Sequence, residues 1–103
     1  FWALQVERDR VRLRAARDSV AVMKLSGAVG TYSNIPPTVE RFVGDALGLR
    51  PVPATQVIAR DRHGEFLYAC ASLGATCELM AVELRHLQRT EVREVQEGFK
   101  PGQ

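Results

Sequence analysis

The first segment carries its apolar residues in a helical rhythm. Trp2, Val6, Leu13, Ala16 and Val20 fall four, seven, three and four apart, on one stripe of an amphipathic helix. Asp9 interrupts that stripe. No glycine or proline breaks the run, and the pattern predicts a helix from residue 1 to about 23. The rhythm stops at "KLSGAVGTYSNIPP" (24–37), where Gly27, Gly30, Ser33, Asn34 and the Pro36-Pro37 pair exclude a regular helix. This is either a structural turn or a loop whose backbone approaches a ligand or a neighbouring chain, since glycine allows close approach. It lacks the spacing and the lysine of a phosphate-cradling loop.

Pro37 or Thr38 opens a short helix through about Leu47, with Val39, Phe42, Val43, Ala46 and Leu47 as its apolar face and Gly48 as its stop. "LRPVPA" (49–54) reads as an extended connector, because proline pushes the residue before it out of the helical region. Beyond it, Phe66, Cys70, Leu73, Cys77, Met80, Leu84 and Leu87 alternate at four and three, a coiled-coil-like stripe. The other faces are small rather than polar: Ala69, Ala71, Ser72, Gly74, Ala75 and Thr76. No formal charge occurs between Glu65 and Glu78.

A helix that is apolar or small on every side is buried on every side. A chain of 103 residues cannot surround it. The pattern therefore predicts a mainly α fold in which this helix lies inside a large bundle assembled across subunits. The tail "QRTEVREVQEGFKPGQ" (88–103) is expected to be mostly irregular. We expect residues 1–103 to be one fragment of a central helical domain rather than a complete domain, because the chain opens on Phe1-Trp2 already within a helical pattern.

Charge changes this picture little. The net charge is +2, which by itself selects neither nucleic acid nor membrane as a partner. Arg8, Arg10, Arg12, Arg14 and Arg17 crowd the first helix, but helical spacing scatters them among Glu7, Asp9 and Asp18, so a solvated or partner-facing surface is expected. Cys70 and Cys77 lie about 10 Å apart on a helix, too far for a disulfide. No Cys/His spacing suits zinc. Two buried thiols in a reducing, cytoplasmic compartment are expected. No signal peptide and no apolar run long enough to span a membrane is read from the pattern.

The candidate chemistry is concentrated in "TQVIARDRH" (55–63). Asp61 suits the N-cap of the long helix, where its carboxylate would accept from free backbone N–H groups. Arg60 and Arg62 are either surface charges or partners of Glu65 or Asp61. His63 is either a structural, solvent-facing residue or a general acid or base. Gln56 is neutral; it can hold a carboxylate or a base edge but cannot move a proton.

Four stretches occur in one order: "KLSGAVGTYSNIPP", "TQVIARDRH", "VELRHLQRTEVREVQE" and a closing "KPGQ". From Lys24 to Gln103 the sequence resembles the adenylosuccinate lyases of the fumarase/aspartase superfamily. Gly98 stands where many relatives carry proline and Gly64 where many carry alanine, and Gly64 should slightly weaken the helix start. The resemblance implies β-elimination of fumarate from adenylosuccinate, giving AMP, and from the succinylo-carboxamide ribotide of purine biosynthesis. It implies a homotetramer with active sites shared between subunits, and no cofactor or metal.

The resemblance also places the acid histidine before Phe1 and the base serine after Gln103, so no catalytic residue falls within this fragment. Gln56 matches the glutamine that binds the succinyl part of the substrate, with Thr55 as a weaker neighbour. His63 lies in the wrong motif to be the acid. The sister readings are an argininosuccinate lyase or carboxymuconate cycloisomerase type. A non-catalytic helical assembly module is the reading from another class.

Overall fold

In the computed structural model, residues 1–96, 98 and 102 are described. The chain runs α1 (Trp2–Val20), β1 (Val22–Met23), α2 (Pro37–Leu47), β2 (Arg50–Pro51) and α3 (Asp61–Leu87). It is a rod of 70 × 28 × 21 Å. Its radius of gyration is 22.5 Å, against about 13 Å for a compact domain of similar length. Helices α1 and α3 set the long dimension. They lie antiparallel, since Gln5 meets Thr76, Asp9 meets Ser72 and Arg62 meets the Ser19 carbonyl.

The contact between these helices is made by small and polar side chains. Ala16 and Ala69 are buried and let the axes approach. Asp9, the interruption in the α1 stripe, turns out to face α3 and is 1% exposed. Its carboxylate accepts from the Thr76 hydroxyl, from Ser72 Oγ at 3.0 Å and from Arg12 Nη1 at 2.9 Å. Thr76 Oγ1 accepts in turn from Gln5 Nε2 at 3.1 Å. These donors outweigh desolvation, and the Thr76 hydroxyl foremost holds the Asp9 carboxyl below its ordinary value. Elsewhere on α1 the arginines remain in solvent, with Arg10 paired to Glu7 at 2.6 Å and Arg17 to Asp18 at 3.2 Å. Exposed pairs of this kind contribute little stability.

Several expectations need correction. The first helix ends at Val20 rather than near residue 23, because Val22 and Met23 leave it to pair in parallel with Arg50 and Pro51. Asp61 is not the N-cap. Arg60 holds that position without a side-chain cap hydrogen bond, and Asp61 is the first helical residue, where its charge favours the helix dipole. Cys70 and Cys77 are free thiols, as expected, but both are exposed. Helix α1 covers α3 at Ala69 and Thr76, and among the described residues the faces bearing the cysteines stay open to solvent. The same holds for α2: Phe42 is 74% and Leu47 65% exposed, while Glu40 and Gly44 form its buried side. Finally, α3 is long and apolar enough by length and composition alone to cross a membrane, where the sequence reading found no apolar run of that length.

Three local features agree with the sequence reading. Pro37 opens α2, and Gly48 closes it in the left-handed conformation at φ 68°. Residues 50–51 are extended. After Leu87 the described chain is irregular, with Glu94 and Val95 donating back to the Leu87 carbonyl. Most of the "KPGQ" motif lies outside the described residues.

Candidate ligand cleft

The loop 24–36 takes its shape from one acid. Glu40 lies on the inner side of α2 and is 4% exposed. Its Oε2 accepts from the Leu25 backbone N–H at 2.7 Å, and its Oε1 from the Tyr32 hydroxyl at 2.7 Å. Both donors favour the ionised form. The Tyr32 hydroxyl first, then the Leu25 N–H, lower the Glu40 carboxyl below its ordinary value, and the same contact raises Tyr32 above its own. Tyr32 adopts φ 55°, a conformation that is uncommon for a bulky residue, and its N–H donates to the Ser26 carbonyl at 2.8 Å. The Ser26 hydroxyl is buried with no hydrogen-bond partner among the described residues.

Two glycines let this loop and α2 close on the rest of the chain. At Gly30, φ is 79° and a Cβ would lie 2.1 Å from the Ala54 carbonyl oxygen, so the loop backbone rests directly on Ala54 and Thr55. At Gly44, a Cβ would lie 2.7 Å from the Leu49 carbonyl oxygen and 3.2 Å from Met23 Sδ. The glycine loop is therefore a turn packed against the chain's own connector.

Between the loop and the start of α3 is an open cleft of about 320 Å³, lined by Lys24, Gln56, Val57, Ile58, Arg60 and His63. A lysine, an arginine, an amide and an imidazole line it, and no carboxylate does so among the described residues. Such a set suits a carboxylate or another small anion, with the amide fixing its orientation. Lys24 Nζ donates to the Gly27 carbonyl, which ties this side chain to the loop it opens.

The sequence-derived candidates separate here. Gln56 is exposed and lines the cleft. Thr55 is also exposed but contributes backbone against Gly30 and does not line the cleft. Arg60 and His63 join Gln56. Arg62 points away, and its Nη1 donates to the Ser19 carbonyl at 3.0 Å, tying the start of α3 to the end of α1. Residue reasoning overlooked Lys24, Tyr32 and Glu40. For Glu40 the only signal was an acid beside the apolar positions of a short helix, which ordinarily means solvent.

Comparison with known proteins supplies the remaining findings. A family model described as Lyase matches residues 1–103. The adenylosuccinate lyase of Deinococcus radiodurans is 52% identical over 103 residues, covering 99% of this chain and 24% of that protein. Those of Synechocystis and Thermotoga maritima are 53% and 50% identical over the same shares. The chain thus spans about a quarter of the length of the curated relatives it matches.

Proposed function

Since the chain belongs to the lyase family, we propose that it is the central part of an adenylosuccinate lyase, which eliminates fumarate from adenylosuccinate to leave AMP and from the succinylo-carboxamide ribotide. The observation that carries this reading is the identity of about half of all positions, across the whole chain, with curated adenylosuccinate lyases. In such an elimination the costly species is the carbanion beside a carboxylate, and preorganised donors around that carboxylate lower the barrier. Gln56 offers an amide donor in a cleft that also holds Lys24 and Arg60, which suits the dicarboxylate end of the substrate. By resemblance, the acid histidine and base serine come from outside residues 1–103, and this stretch supplies binding and scaffold.

The proposal includes a homotetramer built through α3 and its neighbours. The uncovered faces of α2 and α3 support it, because exposed apolar area of this kind is normally covered by a partner. A cytoplasmic location fits two free thiols left unpaired.

The test is fumarate release by the full-length protein, offered adenylosuccinate, argininosuccinate and aspartate separately. Release from adenylosuccinate alone is expected. Release from argininosuccinate instead would retain the elimination chemistry and reject the substrate.

A further inference from the structure

We propose that Glu40 and Tyr32 are positioning residues: they clasp the loop 25–32 and, through Gly30, hold the connector that carries Gln56 at the cleft. The inference rests on the ligand site proposed above. A single carboxylate bonds both ends of the loop, at Leu25 and at Tyr32, with each oxygen engaged at 2.7 Å. A carboxylate that is 4% exposed and doubly bonded is fixed in place, since releasing either donor would leave a buried charge under-satisfied.

Between those pinned ends, Gly30 presses its backbone on Ala54 and Thr55, immediately before Gln56. Lys24 precedes the first pinned residue and lines the same cleft as Gln56. The two walls of the cleft therefore share one support. Neither Glu40 nor Tyr32 lines the cleft, so both act through the residues they hold. The left-handed φ of Tyr32 agrees with this role, because a tyrosine holds that conformation only where its surroundings determine it.

The variant Tyr32→Phe removes one hydrogen bond and keeps the ring. In the unliganded full-length protein, amide hydrogen exchange is expected to quicken at residues 25–32 and at 54–58, while α1 and α3 exchange as before. In the assay, KM for adenylosuccinate should rise about three- to tenfold, the scale of one lost hydrogen bond, with kcat within about twofold. Glu40→Gln, which keeps one acceptor oxygen, should fall between wild type and Glu40→Ala in both measurements.

Unchanged exchange at 54–58 despite a loosened loop would overturn the proposal, as would faster exchange spread evenly along the chain. A wild-type protein that releases no fumarate from adenylosuccinate would reject the proposed function alone. The exchange measurement would still decide the clasp.

Discussion

Gln56 contributes an amide and no charge, so replacing it with alanine removes hydrogen bonds without altering the field of the cleft. If it holds a substrate carboxylate, Gln56→Ala should weaken binding by about 1.5–3 kcal/mol, the usual worth of a hydrogen bond to a charged group. Steady-state kinetics of the full-length protein would show this with assembly unchanged, and wild-type constants would remove Gln56 from the site. The role expected of Gln56 comes from motif resemblance, since an exposed glutamine carries no mark of function by itself. Glu40 was illegible for the opposite reason. Burial of an acid depends on donors from a loop folded back over it, and that folding is invisible in the local pattern.

At the scale of single elements, α2 packs by its narrowest side. Gly44→Ala would place a methyl group 2.7 Å from the Leu49 carbonyl oxygen, against backbone that cannot rotate away. A loss of about 1–3 kcal/mol is expected, typical of overpacking, and a lowered Tm would measure it. The paired carboxylates also make stability depend on pH. The folded-state values of Asp9 and Glu40 lie below their ordinary 3.8 and 4.5. Their contribution is therefore complete above those ordinary values and is lost as pH falls through the lowered ones. Tyr32 works in the other direction: raised above 10.0, it contributes below that pH and ceases to do so as pH rises through its folded value. Asp9→Asn should flatten the acid limb of thermal stability, measured from about pH 2.5 to 7. The existence of the three helices was readable from the pattern of apolar, glycine and proline positions, whereas the ends of α1 and α3 were not. The pairing of Val22–Met23 with Arg50–Pro51 and the shift of the cap to Arg60 both arise from contacts distant in sequence.

For the whole molecule, assembly turns on what covers the apolar faces. The a/d stripe of α3 was legible, as was the inference that this chain cannot enclose it. Which face meets α1 was not, because that contact is selected by Asp9 rather than by the largest hydrophobic residues. Gly74 separates the possibilities. A Cβ there would meet nothing within 4 Å among the described residues, so Gly74→Leu should leave the α1–α3 pair intact. If another subunit packs closely at that face, the same change should dissociate the assembly. Sedimentation of the full-length variant would decide it, and a normal oligomer would place the subunit contact on another face.

The polar contact between α1 and α3 has a consequence at a distance. Helices that meet through alanines can slide, and a slip of one turn, about 5.4 Å, costs such a contact little. The Asp9 carboxylate opposes it: it engages two hydroxyls one turn apart, Ser72 and Thr76, and a slip of four residues on α3 would set Met80 or the long Tyr68 ring in the place of one of them. A ruler is thereby set between two parts of the molecule. One helix leads, four residues beyond its end, into Lys24; the other begins just before His63. The two hydroxyl bonds that fix this register lie about 13 and 20 Å further along the shaft, at roughly 1.5 Å per residue from His63 to Ser72 and to Thr76. Thr76→Val should therefore miscalibrate a cleft that it does not touch, raising KM while kcat holds.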